Sequence, residues 1–258
     1  ASLQTEEAYA QFVALKADIS IVVGFGKILP NRIINSLKFG CLNLHPSLLP
    51  KLRGASPITS ALLKGDVISG VTIIVLDESM DSGPIVAQRE IHIRKEDTTV
   101  SLTDRMFLEG TQLLMETLPR YISGELIAQL QDHSLATYCK KIEKTEGLID
   151  WHQTAEEICL KIRAYYPWPS SYTYWEKSLL KVINAAPGIP HISDAYYLPG
   201  QVFTIGRERE LEIHVATGQG SVKLVEVQLE GKRAMSIHDF AKGHKAFSSG
   251  HLPSLHRT

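Results

Sequence analysis

Short apolar runs and amphipathic stretches alternate through the first half of the chain, and the period of each pattern assigns it to strand or helix. Residues 5–16, TEEAYAQFVALK, place apolar side chains at helical spacing, and DISIVVGFG, 18–26, follows as a short strand running into a glycine turn. Residues 31–38 read as a second helix and CLNLH, 41–45, as the next strand. PITSALLK, 57–64, is predicted as a helix with Ser56 as N-cap, Pro57 in the first helical position and Gly65 just past its end. GVTIIVLD, 70–77, and PIVAQREIHI, 84–93, read as strands flanking the loop ESMDSG, and a long helical pattern from Thr98 to Tyr121 completes the unit. The alternation predicts an open α/β sheet covered by helices over residues 1–124.

Beyond Gly124 the texture changes. A polar connector occupies 125–144, and a Trp-rich helical piece then gives way to short strands at 172–175, 179–185, 200–205, 210–216 and 221–229, with a last helix near 236–243. Five short strands and a helix suggest a small OB-like β-barrel over 145–258. Trp151, Trp168 and Trp175 read as core or domain-packing residues, with base stacking the lesser alternative.

Composition narrows the partners. A chain of 258 residues, 44% hydrophobic, can bury a large core in one or two domains. Its formal net charge of -1 argues against attachment to nucleic acid or membrane by bulk charge, so any polyanion must be gripped locally. Cys41, Cys139 and Cys159 are odd in number, far apart and without a CxxC, which points away from disulfides and zinc and towards a reducing compartment. No apolar run approaches the roughly 18–20 residues of a membrane span, and ASLQTEEAYAQ lacks the features of a signal peptide.

The stretch CLNLHPSLLPKLRGASP, 41–57, carries the candidate chemistry. Asn43 and His45 are two apart on a strand and so face one side, at the carboxyl end of a central strand where open α/β sheets bind ligands. An amide donor beside an imidazole suits stabilisation of an oxyanion forming on a carbonyl, with the imidazole moving a proton. Asp81, in MDSGP, is the candidate carboxylate to orient the ring, the nearby glycine letting the backbone approach a ligand. No activated Ser or Cys is evident, which favours direct attack by a substrate amine. The bland alternative is a satisfied polar turn. Asp77, Glu78 and Asp81 read as a solvated acidic loop rather than a metal site, and GFG, 24–26, lacks the second half of a phosphate-binding fingerprint.

LNLHPSLLPKLRGASPITSALLKGD followed by GVTIIVLDESMDSGPI resembles the core of the folate-dependent formyltransferases, whose signature is Asn-x-His-Pro-Ser-Leu-Leu-Pro with a downstream Asp-x-Gly. RGASPI, 53–58, IRAYYPWPS, 162–170, VATGQGSVKLVEVQ, 215–228, and EGKRAMS, 230–236, resemble the branch of that family acting on methionyl-tRNA, with Ser56 a mild departure. The resemblance spans nearly the whole chain and is weakest at 1–17 and 186–199. It implies a Rossmann-like formyltransferase domain, an OB-like C-terminal domain that helps hold tRNA, and catalytic roles for Asn43, His45 and Asp81. The implied reaction moves a formyl group from 10-formyltetrahydrofolate to the α-amine of initiator methionyl-tRNA, without a metal. Asp81 is then expected to favour the charged form of His45.

By the same resemblance the folate contacts fall on Gly24, Phe25, Gly26, Ile28, Leu29, Pro30, Ser47, Leu76, Asp77 and Gly83. Those to tRNA fall on Arg53, Lys223, Lys232, Arg233, Lys242 and Lys245. A monomer in the bacterial cytoplasm, or in an organelle matrix, is expected. Two alternatives stay open: a relative with another acceptor (an amino sugar, glycinamide ribonucleotide or water), and a non-catalytic RNA-binding remnant. The chain opens on a helix where an α/β domain normally opens on a strand, so further N-terminal strands are expected, and with them the inactivity of this chain alone.

Overall fold

The computed structural model describes residues 3–26, 29–190, 197–207 and 210–254. The chain divides into two compact units. The first comprises Ala1–Ala61, Asp66–Lys95 and Ser101–Lys141; the second comprises Leu62–Gly65, Glu96–Val100 and Ile142–Thr258.

The first unit is built on four strands: β1 (Ser20–Val23), β2 (Cys41–His45), β4 (Ile68–Val75) and β5 (Ile85–His92), in the order β1-β2-β4-β5. A two-residue strand, β3 (Arg53–Gly54), lies off this sheet. β1 and β2 run parallel, with Val23 opposite Leu44, whereas β2 and β4 run antiparallel, with His45 opposite Thr72. The sheet is therefore mixed, and β2 has a neighbour on each side. α1 (Glu6–Ala14) is capped by Thr5, whose hydroxyl accepts from the Ala8 N–H at 3.2 Å, and it buries none of its residues. α2 (Asn31–Ile34) stops earlier than the pattern predicts, because the Ser36 hydroxyl donates to the Ile33 carbonyl at 2.8 Å and competes with the helical ladder. α3 (Pro57–Lys64) has its predicted bounds.

The helix α4 (Thr99–Ile122) buries Leu102, Met106, Gly110, Leu113 and Thr117, a stripe at helical spacing. At Gly110 it comes so close to β2 that an added Cβ would lie 2.6 Å from Leu44 Cδ1. Leu42 and Leu44 are buried on one face of β2, which leaves Asn43 and His45 on the other.

The stretch expected as a connector, 125–144, is strapped onto the first unit for most of its length. Gln129 and Ile85 exchange backbone hydrogen bonds at 2.7 and 2.8 Å. β6 (Tyr138–Cys139) pairs in parallel with β3, Arg53 opposite Tyr138. Polar composition concealed backbone pairing of a kind that needs no apolar side chains.

In the second unit, α5 (Ala155–Tyr165) opens with a Thr154/Glu157 capping box and buries Ile158, Cys159, Ile162 and Tyr165. β7 (Ser171–Trp175), β8 (Ser178–Pro187), β9 (Val202–Ile205), β10 (Glu212–Ala216) and β11 (Ser221–Leu229) form an antiparallel sheet in the order β7-β8-β11-β10-β9. β12 (Met235–Ser236) pairs with β11, and α6 (Ile237–Gly243) follows. Trp151 and Trp175 join the core with Phe240 and Phe247. Trp168 does not: it is 56% exposed, so of the three tryptophans expected as core or domain-packing residues this one lies outside the core.

Candidate active site

Strand alternation places Asn43 and His45 together. Asn43 is half-buried, and among the described residues no hydrogen bond engages its side-chain amide. His45 is only 4% exposed. Its Nε2 lies 3.0 Å from the Leu52 carbonyl oxygen, which can only accept, so Nε2 carries the hydrogen and Nδ1 is the bare nitrogen of the neutral ring. Nδ1 stands 3.6 Å from Asp81 Oδ1. The other Asp81 oxygen accepts the Gly54 N–H at 2.8 Å, which fixes the carboxylate beside the ring.

Asp81 pulls His45 towards its charged form, as expected, but burial outweighs that pull. Burial is the largest influence and holds the imidazole below its ordinary pKa, against the opposing pull of the Asp81 charge and the Leu52 carbonyl. The resting ring is neutral at pH 7, and a proton arriving at Nδ1 is met by a carboxylate. Such a pair can accept a proton and stabilise the charge it then carries.

The loop bearing Asp81 enters and leaves at the far end of β2, where the Leu76 N–H donates to the Cys41 carbonyl at 2.7 Å. It then folds back to His45. Asp81 itself has φ +51°, a left-handed conformation. Asp77 is exposed and ties the loop internally, accepting from the Ser79 N–H at 3.1 Å and the Ser82 hydroxyl at 2.8 Å. Gly83 is buried against β4.

The expected folate residues are placed unevenly. The parallel register carries β1 into its turn beside the end of β2, so Gly24, Phe25 and Gly26 lie on the His45 side of the sheet. A Cβ on Gly24 or Gly26 would meet nothing within 4 Å, and Phe25 is 46% exposed, an open shelf suited to a flat ring. Leu29 and Pro30 are half-buried at the start of α2; Ile28 lies outside the described residues. Leu76 and Asp77 lie at the opposite end of β2. Ser47 corrects the expectation: it is fully buried, and its hydroxyl donates to the Lys51 carbonyl at 2.6 Å, so its side chain braces the turn after β2.

Arg53 corrects a second one. It is 3% exposed, and its guanidinium donates to Gln131 Oε1 from Nε at 3.2 Å and Nη2 at 2.6 Å, which leaves it no surface to offer a phosphate. Of the other expected tRNA contacts, Lys223 is ion-paired with Glu212, and Lys242 pairs with Asp239 at 3.2 Å. Lys232, Arg233 and Lys245 are exposed. Gln131, the Leu52 carbonyl and the Gly54 N–H are parts of the site that sequence reasoning missed. Two are backbone groups, which leave no trace in residue type, and Gln131 sits in an unpatterned polar stretch. Among the described residues no group of three or more His, Cys, Asp or Glu is arranged to hold a metal, and no helix is long and apolar enough to cross a membrane.

The first unit thus brings an amide, an imidazole and a carboxylate together, and a β-rich unit follows it along the chain. Residues 1–118 match the formyl transferase domain and residues 141–245 the formyl transferase C-terminal domain. The chain belongs to the formyl transferase family. It is 38% identical over 249 residues to the methionyl-tRNA formyltransferase of Methylococcus capsulatus, covering 95% of this chain and 77% of that protein. To the methionyl-tRNA formyltransferase of Chloroflexus aggregans it is 42% identical over 235 residues, covering 91% and 74%. Among solved structures, HypX from Aquifex aeolicus in complex with tetrahydrofolic acid shares the fold with a TM-score of 0.67 at 20% identity. That match covers 93% of this chain, which spans 41% of HypX. An N-formyltransferase from Helicobacter canadensis, solved with folinic acid and dTDP-3-aminofucose, gives a TM-score of 0.59 at 22% identity, covering 78% and 70%.

Proposed function

We propose that this chain transfers the formyl group of 10-formyltetrahydrofolate to the α-amine of methionine carried on initiator tRNA, as a monomer of the bacterial cytoplasm. The observation that carries the reading is the 3.6 Å approach of His45 Nδ1 to Asp81, with the Asn43 amide on the same strand face. The acceptor follows from the relatives at 38% and 42% identity, both named for methionyl-tRNA.

The donor supplies an electrophilic formyl carbon. The Asn43 amide then donates to the formyl oxygen as negative charge builds on it, an interaction stronger in the transition state than before it. As the amine nitrogen bonds to the formyl carbon, neutral His45 accepts the amine proton at Nδ1 and Asp81 stabilises the imidazolium. The ring then gives that proton to N10 as the carbon–N10 bond breaks, which releases tetrahydrofolate and restores the neutral imidazole. The exposed shelf at Gly24–Gly26, with Leu29, Pro30 and the loop from Leu76 to Gly83, holds the folate. In the second unit, exposed Lys232, Arg233, Lys242 and Lys245 meet tRNA phosphates, with Lys223 contributing less because Glu212 balances its charge.

Formyl transfer assayed with charged initiator tRNA, uncharged tRNA and amino-sugar nucleotides tests the reading. Where formyl transfer occurs, it is expected with the charged tRNA and with neither of the other acceptors. Formylation of a sugar amine, or release of formate without acceptor, would overturn it.

A further inference from the structure

Gln131 lies in the polar strap, far in sequence from the reacting residues, yet it is 6% exposed and every hydrogen-bonding position of its side chain is engaged within the first unit. Its amide nitrogen donates to the Asp81 carbonyl at 3.0 Å and the Gly83 carbonyl at 2.7 Å. Its amide oxygen accepts both bonds from Arg53. Arg53 is held in turn by His133 Nδ1 at 3.1 Å and by its backbone pairing in β3.

Of the two carbonyls that Gln131 grips, one is Asp81's own and the other lies two residues further on, so together they pin the chain as it leaves the left-handed Asp81, a backbone state that a residue with a Cβ holds only when its surroundings enforce it. We infer that Gln131 is a positioning residue for the transfer reaction, locking the Asp81 turn so that the carboxylate stays against His45, with Arg53 as the buried strut behind it. This inference rests on the proposed roles of His45 and Asp81. It gives the Arg of RGASPI a task inside the fold. The polarity is specific: only an amide presents an acceptor to a guanidinium at one end and two donors to carbonyls at the other. Leucine or methionine would fill the space but leave two carbonyls unpaired and take from the guanidinium the two hydrogen bonds it gives Gln131, a costly arrangement when buried.

The test compares Gln131→Met and Gln131→Glu with the parent, alone and combined with Asp81→Asn, by steady-state formyl transfer and by NMR titration of the His45 ring. Gln131→Glu keeps the acceptor for Arg53 and so the fold on that side, but turns a carboxylate against the two carbonyls. Asp81 is the charged group facing the ring; Cys139, which also feels that charge, has its thiol pushed up chiefly by burial and stays neutral.

Each Gln131 variant is expected to lose about 10- to 100-fold in kcat, as misplacement of a reacting group does, with little change in KM for the formyl donor. In each, His45 should titrate at a lower pH than in the parent, because the carboxylate opposing its burial has moved away. In the Asp81→Asn background the Gln131 changes should add nothing to either measurement. An unchanged His45 titration, or a full additional loss in that background, would overturn the inference. The titration needs no turnover, so it decides the placement of Asp81 even if the proposed acceptor proves wrong.

Discussion

A Cβ added to Gly83 would lie 1.8 Å from the Val75 carbonyl oxygen, where the returning Asp81 loop presses on the end of β4. The obstacle is backbone, which cannot rotate aside as a side chain can. Gly83→Ala should therefore cost at least about 1–3 kcal/mol, the range for overpacking a tight contact. Thermal denaturation should show the loss as a lower Tm, and the kcat of the surviving folded protein should fall because Asp81 rides on the same loop. Gly243→Ala, where the added Cβ meets nothing within 4 Å, is the control and should leave both unchanged.

Asn43, whose side-chain amide meets no hydrogen-bond partner among the described residues, is the proposed donor to the substrate oxygen. Removing one preorganised oxyanion donor typically costs about 3–4 kcal/mol, roughly 100- to 1000-fold in rate. Asn43→Ala should lose that factor in kcat while folate affinity, measured by equilibrium titration, holds. A variant with parental kcat and weakened folate binding would move Asn43 from the chemistry to the pocket.

The pH dependence follows from the lowered His45 pKa. A proton acceptor must be bare, so kcat/KM should be supported above the His45 pKa and decline as pH falls through it, at a value below the ordinary 6.5. Asp81→Asn removes the charge that raises that pKa, so the acid limb should shift to still lower pH while the plateau rate drops. The acceptor amine titrates identically in both proteins, and the difference between the profiles isolates the ring. The same depression favours the fold above the unfolded value. Stability should diminish as pH drops through the region between the unfolded and folded pKa, where the unfolded chain gains the proton first.

Salt dependence addresses the second unit. Each phosphate neutralised contributes roughly 0.7–0.9 to the slope of log affinity against log salt. Replacing both Lys232 and Arg233 by alanine should flatten the tRNA slope by about 1 to 2, leaving folate binding as it was. An identical slope would remove these two residues from the tRNA face.

Periodicity carried most of the elements because most are amphipathic or uniformly apolar: β2, α3, α4 and β11 lie where the pattern puts them. It was less accurate where polar side chains terminate structure, as at Ser36 after α2, and silent where backbone pairing alone does the holding, as in β3 and β6. The juxtaposition of Asn43 and His45 was legible because a strand converts spacing into a shared face. The approach of Asp81 was legible only as a candidate, since nothing local in MDSGP states that the loop folds back along β2. The burial that makes His45 neutral was not legible at all. It depends on Leu52 and Gly54 from one segment and Gln131 from another closing over the ring and its carboxylate.

The strapping of residues 125–141 also bears on how the protein can be divided. A fragment ending with α4 at Ile122 would contain Asn43, His45, Arg53 and Asp81, and by sequence looks like a self-sufficient catalytic half. It would nonetheless strip β3 of its partner β6, free Ile85 from Gln129 and remove the side chain that grips the Asp81 turn. Cut after Lys141 instead, the fragment retains all three. The last crossing of the chain from the first unit to the second thus lies about twenty residues later than the end of α4, and a cut there for expression, limited proteolysis or a domain swap carries Leu62–Gly65 and Glu96–Val100 of the second unit with the earlier piece.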